Sequence, residues 1–266
     1  MKNLIFLSVV ILFSNNISAS TSVELDCLVK PEVYIDLSSS TNSVIESLLV
    51  GAGDDIRKGQ SLVKLEASVE RAQVELAKQK VAAISDIEHR KEKRNYIKLN
   101  NQRIRALYAN QSISLFDRDK SDTELVVANI ELVKARDKRK IMRLELDLAQ
   151  ARLNLKTIRS PIDGLVADLY LVSGESVKDR PIMKLAKINP LRVELIAATE
   201  YFGLITSGMK VEIRPERPTN KSFVATVSVV DQLIDPASGT FTVRMTLPNA
   251  NNELIGGVNC LAIFTL

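Results

Sequence analysis

Two patterns of apolar residues alternate along this chain, and together they predict a long helical segment between β-rich segments. From residue 60 to residue 160 there is no glycine and no proline, and strong helix formers dominate. In the second half of this stretch, apolar residues recur every seven positions in two sets. The sets are Leu125, Leu132, Leu146 and Leu153, with Arg139 as the exception, and Ala128, Ala135, Met142 and Ala149. Leucine and alanine at this spacing predict a coiled-coil seam.

The first half of the stretch has a looser seven-residue pattern. It runs through Val69, Leu76, Ala83, Ile97 and Ile104, with Arg90 as an interruption. Polar residues break the helical pattern at 110–114, and Asp117 follows three positions after Ser114, which is a helix start signal. We therefore predict an antiparallel coiled-coil hairpin over residues 67–159, with its tip at about 109–115. Each helix would be roughly 64 Å long at 1.5 Å per residue.

The segments on either side of the hairpin resemble each other. The left one reads VIESLLVGAGDDIRKGQSLVKL and the right one VADLYLVSGESVKDRPIMKL. Val44 aligns with Val166, Val50 with Val172, and Gly53 with Gly174. We expect residues 38–66 and 160–189 to form two similar β units that pack as one domain, because the returning hairpin brings them together.

Short alternating strands make up the rest of the chain. Residues 20–37 have a β pattern with Pro31 as a breaker, and Asn189-Pro190 marks a boundary. Five further strands are predicted at Leu191–Ala197, Lys210–Arg214, Phe223–Val230, Thr240–Leu247 and Val258–Leu266. Residues 20–37 and 190–266 are expected to form a small β-barrel. The predicted fold is mainly β with a long α-helical hairpin, and elongated.

The beginning of the chain has the layout of a cleavable export signal. A lysine, an apolar run from Leu4 to Phe13 and a small-residue site give a predicted signal peptide over residues 1–19. The apolar run is too short to cross a bilayer, so we expect an exported, soluble protein. The two cysteines, Cys27 and Cys260, are compatible with a disulfide or with two buried thiols.

Composition argues against catalysis and nucleic-acid binding. Charges of both signs alternate along the hairpin, the net charge is +4, and there is no tryptophan. The single histidine, His89, has no nucleophile or metal-ligand set around it in the sequence. Lys184 resembles a carrier lysine only superficially, since it aligns with Lys64 inside the repeat. We predict a non-enzymatic protein without cofactor or metal.

The two half-repeats, the hairpin between them and the barrel after them resemble the membrane fusion proteins of the HlyD family, the periplasmic adaptors of bacterial efflux and secretion pumps. The stretches that carry the resemblance are VIESLLVGAGDDIRKGQSLVKLEA, IRSPIDGLVADLYLVSGESV and INPLRVELIAATEYFGLITSGMKVEI. It implies a lipoyl-like split β-sandwich. Since the chain stops where the barrel should end, it also implies a compact form without the C-terminal membrane-proximal domain.

The family's hairpin tip pattern, R-x-x-x-L-x-x-x-x-x-x-S, matches RIRALYANQSIS in this chain. The resemblance implies that Arg103, Leu107 and Ser114 bind an outer-membrane channel. Arginine offers a planar fork of donors, and leucine could fill a groove between partner helices. The residues alone leave open that Arg103 is a solvated charge, Leu107 the last seam residue and Ser114 only a helix cap.

The resemblance also implies partners and location. The adaptor would lie in the periplasm, peripheral to the inner membrane, and would join an inner-membrane transporter to a TolC-like channel for efflux of small molecules. The cleavable signal favours an RND-type transporter over an ABC exporter or a type I secretion system. Several copies, expected as a hexamer, would form a ring. An exported coiled-coil scaffold that serves no pump is the alternative from another class.

Overall fold

A computed structural model describes residues 22–265, so the predicted signal peptide lies outside the described residues. These residues form two compact units. The first comprises residues 22–35, 163–165 and 185–265, and the second comprises 36–162 and 166–184.

A helical segment lies between β-rich segments, as the sequence pattern predicts. In chain order the elements are β1 (Ser22–Leu37), β2 (Ser43–Leu48), β3 (Asp55–Ile56), β4 (Ser61–Leu65), α1 (Ser68–Ala82), α2 (Ser85–Ala109), α3 (Leu115–Asn154), β5 (Thr157–Arg159), β6 (Gly164–Leu169), β7 (Ser176–Val177), β8 (Met183–Ala198), β9 (Lys210–Pro215), β10 (Phe223–Val230), β11 (Thr240–Leu247) and β12 (Val258–Thr265).

The first unit is a closed barrel of six strands, which confirms the predicted small β-barrel. Its strands run in the order β1-β12-β9-β10-β11-β8, and pairing between β1 and β8 closes it. Alternate residues of β11 point inward, so Phe241, Val243, Met245 and Leu247 are all buried. This alternation places the apolar face of each strand in one core.

Pro31, which we expected to break the first strand, lies within β1. Pro190, which we placed at a boundary before the barrel, lies within β8, and the two units divide five residues earlier. The expected break at Pro31 was wrong because proline removes only one donor from the ladder. Strands tolerate proline where that donor is not needed.

The two cysteines face each other on neighbouring barrel strands. Cys27 of β1 is directly opposite Cys260 of β12 in the antiparallel register, with the two Cα atoms 4.9 Å apart. The structure joins them in a disulfide, and both side chains are buried in the barrel core.

In the second unit, the two half-repeats bind each other through reciprocal backbone hydrogen bonds. The Gly53 N–H donates to the Val166 carbonyl at 2.8 Å, and the Gly174 N–H donates to the Ile45 carbonyl at 2.9 Å. Both glycines have a positive φ, +89° and +92°, which a side chain would disfavour. The same step along the chain therefore relates Ile45 to Val166 and Gly53 to Gly174, so the two halves are structural equivalents.

This symmetry corrects the alignment of the repeats by one residue at their starts. Val44, which we aligned with Val166, is 44% exposed, whereas Ile45 and Val166 are buried. A shift of one residue moves a strand side chain to the other face of the sheet, so Ile45 is the true partner. Likewise Gly51, not Val50, is equivalent to Val172: the backbone N–H of each donates to the carboxylate three residues later.

The helices form the predicted coiled-coil hairpin, and on α3 the buried face follows the predicted heptad. The buried or half-buried positions of α3 are Arg118, Ser121, Asp122, Leu125, Ala128, Glu131, Leu132, Ala135, Arg139, Met142, Leu146, Ala149 and Leu153. All eight predicted apolar seam residues, together with Arg139, thus lie in the seam.

The first arm differs from the prediction because it is two helices. It breaks between α1 and α2 at residues 83–84, where neither residue gives a side-chain cap. In α1 the buried residues are Val74 and Ala77, while Val69 and Leu76 are each 59% exposed. If the seven-residue pattern of α2 is continued back into α1, the buried residues of α1 lie one position later than that pattern places them.

Arg90, which we read as an interruption of the first arm, occupies a seam position. It is half-buried, and its guanidinium donates to Glu131 of α3 at 2.9 Å and to Asp86 at 3.3 Å.

Among residues 22–265, no helix is both long and apolar enough to span a membrane. The same range contains no cluster of three or more histidine, cysteine or acidic side chains that could hold a metal ion.

Candidate partner-binding site at the hairpin tip

The turn between the arms is a compact backbone motif. After Ala109 ends α2, the Ser112 N–H donates to the Leu107 carbonyl and the Gln111 N–H to the Tyr108 carbonyl, both at 2.9 Å. Gln111 has a positive φ of 57°. These bonds define a Schellman motif with glutamine in the left-handed position where glycine is usual. The motif reverses the chain in few residues and leaves the tip narrow.

Ser114 starts α3 as its N-cap. Its hydroxyl oxygen accepts from the Asp117 N–H at 3.2 Å and donates to the Asp117 carboxylate at 2.6 Å. The S-x-x-D signal thus marks a helix start in the structure, as the sequence indicated. This contact occupies the Ser114 hydroxyl within the chain.

A polar clasp closes the seam just below the tip. The buried Asn101 side chain donates to the Ser121 hydroxyl at 3.1 Å and to the Asp122 carboxylate at 2.7 Å. Arg105 binds the same carboxylate with both a 2.8 Å Nε contact and a 2.8 Å Nη2 contact. Two-pronged arginine–carboxylate contacts are geometrically specific, so the clasp fixes the register of the two arms.

The clasp changes the acidity of Asp122. The hydrogen bonds from Arg105 and then from Asn101 stabilise the charged carboxylate and lower its pKa from 3.8 to about 2. A pKa that is lower in the folded state contributes stability that is complete above the unfolded value of 3.8. That contribution is lost as the pH falls toward about 2.

We expect the tip to open in this acid range. Amides between residues 101 and 122 should exchange faster with solvent, relative to the intrinsic rate, at pH 2 than at pH 5, as measured by hydrogen-exchange mass spectrometry. Asp122→Asn should abolish this pH step, whereas Asp147→Asn, at an exposed carboxylate far from the clasp, should retain it. An unchanged step in Asp122→Asn would show that the clasp does not control the tip.

Beyond the clasp, the tip presents apolar side chains that the hairpin leaves exposed. Leu99, Arg103 and Leu107 are four residues apart on α2 and therefore share one face of that helix. Leu99 is 57% and Leu107 45% exposed. On the other arm, Leu115 and Phe116 are exposed, Phe116 by 74%. Among the described residues, Arg103 has no ion pair.

The three residues assigned to channel binding therefore have different surroundings. Arg103 and Leu107 are exposed on α2 and available to a partner, and Leu107 is not a buried seam residue. Ser114 caps α3. Sequence reasoning missed Phe116. An aromatic residue two positions after a predicted cap, at a position outside the heptad, was the signal that could have found it.

The barrel matches a known domain family. Residues 193–264 match the family model of the CusB-like β-barrel domain (Beta-barrel_RND_2). This range runs from β8 to β12 and includes five of the six barrel strands.

Two curated relatives match over most of the chain. The pyoverdine export membrane fusion protein PvdR of Pseudomonas aeruginosa is 23% identical over 197 residues, 72% of this chain and 50% of that protein. The multidrug resistance protein MdtE of Escherichia coli K12 is 24% identical over 231 residues, 79% of this chain and 55% of that protein. The chain thus spans about half the length of the curated relatives it matches.

Solved structures share the fold. MacA from Actinobacillus actinomycetemcomitans superposes with a TM-score of 0.77 at 19% identity, covering 92% of this chain and 78% of that one. The membrane fusion protein Spr0693 from Streptococcus pneumoniae gives 0.60 at 18% identity, covering 93% and 99%. By its β-barrel domain, its relatives and its fold, the chain is similar to the membrane fusion proteins.

Proposed function

We propose that this protein is a periplasmic adaptor, peripheral to the inner membrane, that links an RND-type inner-membrane transporter to a TolC-like outer-membrane channel for efflux of small molecules. The observation that carries this proposal is the tip of the hairpin. A clasped seam ends there in exposed apolar side chains and in Arg103, which has no ion pair within residues 22–265, a combination typical of a surface that binds another protein.

The chemistry of the tip fits a helical partner. Leu107 and Phe116 supply apolar area, and Arg103 supplies donors for carbonyl or carboxylate groups of the partner. Ser114 contributes by fixing the start of α3 rather than by direct binding, because its hydroxyl already contacts Asp117.

The names of the relatives support export as the activity. One relative is named for pyoverdine export and the other for multidrug resistance. The barrel family carries the RND designation, which favours an RND-type transporter over an ABC exporter or a type I secretion system.

A second apolar stripe on α3 supports self-association. It is separate from the seam and consists of residues that are each about half exposed: Val126, Val127, Ile130, Val133, Ile141, Leu144 and Leu148. At 3.6 residues per turn these positions lie on the face of α3 opposite the seam. These side chains stay about half exposed within one hairpin. We propose that they pack against the hairpin of a second copy, in a closed ring expected to be a hexamer.

Removing this stripe should prevent assembly. Leu144→Gln with Leu148→Gln should weaken self-association at least about tenfold, since two half-buried leucines lose the apolar area that a neighbour would cover. Analytical ultracentrifugation over a concentration series measures this. The matched control is Glu124→Gln with Lys138→Gln, which changes two exposed residues of α3 outside the stripe. Equal association of both double variants would contradict the stripe as an interface.

The experiment for the whole proposal is photo-cross-linking in cells from position 116. A photoreactive residue there keeps the Ser114 cap, whereas one at position 114 would remove it. Adducts with an outer-membrane channel protein would support the adaptor function. Adducts only with other copies of the chain or with unrelated envelope proteins would favour the coiled-coil scaffold. Co-purification of an ABC exporter in place of an RND transporter would overturn the assignment of the transporter class.

A further inference from the structure

A cluster of cations on α3 lines a cavity at mid-length of the hairpin. The cavity has a volume of about 410 Å³ and is lined by Arg136, Arg139, Lys140, Arg143 and Ile87. The four basic residues are spaced three, one and three residues apart, so they share one face of α3. Ile87, near the start of α2, is the only lining residue that is not a cation, and no carboxylate lines the cavity.

The cations of this cavity lack the carboxylate partners that some other cations of the hairpin have. Elsewhere, Lys80 lies 3.9 Å from Glu145, and Arg90 contacts Glu131. Among residues 22–265, none of the four cavity cations has an ion pair. Between positions 134 and 143 the chain carries six basic residues and a single acidic one, Asp137, so this stretch of α3 is strongly basic.

One of the four cations also has a buried donor without an acceptor. The Nε atom of Arg139 is inaccessible to solvent and has no hydrogen-bond partner within the described chain. An unsatisfied buried N–H costs free energy, and cations four residues apart on a helix repel each other. The repulsion between the cations would be relieved by negative charge in the cavity.

We propose that this cavity binds a multivalent oxyanion of the phosphate class. Arginine forks bind the paired oxygens of phosphate groups, and four positive charges favour a ligand with more than one negative charge. Because only one lining residue is apolar, the cavity has little apolar surface to bind an organic group. The group bound would be a free phosphate or pyrophosphate, or a phosphorylated lipid head group.

The position of the cavity gives binding a structural consequence. Ile87 belongs to α2 just after the break at residues 83–84, while the cations belong to α3. An anion bound here would neutralise α3 beside the interrupted part of the first arm and would stiffen the hairpin at its break. This inference is independent of the channel-binding function proposed above.

Titration calorimetry with sodium pyrophosphate on the full chain tests the site. We expect saturable binding that weakens as sodium chloride is raised, because ion pairing is screened. Arg139→Gln with Arg143→Gln should weaken binding at least about tenfold. Arg152→Gln, at an exposed cation of the same helix outside the cavity, should bind as the wild type does. Lys140→Gln, an exposed single change, serves as a second test variant with little risk to folding.

A second arm distinguishes the source of the phosphate group. Vesicles of phosphatidylcholine with and without phosphatidic acid are compared in a flotation assay, with the same variants. Saturable pyrophosphate binding that depends on Arg139 supports a free anion. Dependence on Arg139 seen only with phosphatidic acid supports a lipid head group. If neither probe binds in an Arg139-dependent manner, the proposal is wrong.

Discussion

Replacing Arg103 with aspartate should abolish engagement of the outer-membrane channel while leaving the hairpin folded. Arg103 is exposed on α2 and makes no ion pair or side-chain hydrogen bond among the described residues, so its replacement breaks none there. At an interface, reversing a charge places like charges together or leaves the partner's group unpaired. We expect a loss of at least about tenfold in photo-cross-linking from position 116.

The matched control is Lys98→Asp, at another exposed and unpaired cation of α2 that points away from the face shared by Leu99, Arg103 and Leu107. It makes the same charge change five residues earlier and should retain cross-linking. Aspartate near the end of α2 is slightly unfavourable to the helix dipole, so Arg103→Gln provides a variant without that effect. Wild-type cross-linking by Arg103→Asp would refute the assignment of the tip.

Much of the fold could be predicted because the spacing of apolar residues and the places of turn residues are local features of the sequence. The α3 heptad follows the buried face because α3 is one uninterrupted helix of 40 residues, and a regular helix keeps the phase of its pattern. The barrel strands were placed well for a related reason. Turn residues separate them, and alternation within each strand marks its inner face.

The first arm could not be predicted in the same way. Residues 83–84 are alanine and isoleucine, so no glycine or proline marks the break between α1 and α2. Packing against α3 decides where the helix is interrupted, and that contact is not local in sequence. The clasp is a similar case, because Asn101 and Asp122 come together only when the arms pair.

The tip shows what residue patterns alone can and cannot predict. The family pattern identified Arg103 and Leu107, and the structure places both on an exposed face, which leaves their role in binding a prediction. For Ser114, the structure gives a definite local contact as the cap of α3. A pattern of three letters cannot distinguish a residue that binds a partner from one that shapes the surface.

Removing the disulfide should be the largest stability change available in the barrel. Cys27 and Cys260 are 233 positions apart, so their bond closes a loop that contains most of the described chain. A cross-link over such a loop restricts the unfolded ensemble and stabilises the fold by about 2–5 kcal/mol. It also ties β1, whose partner strands lie far away in sequence, to the C-terminal strand of the barrel.

The expected result for Cys27→Ala with Cys260→Ala is faster hydrogen exchange in barrel peptides from β9 to β12, with hairpin peptides from α3 little changed. Far-UV circular dichroism would report mainly the helices, so peptide-resolved exchange is the measurement that separates the two units. Reductant should reproduce the effect in the wild type and have none on the double variant. If reduced and oxidised wild type exchange alike across the barrel, the strand ladder of β1 and β12 alone holds the barrel closed.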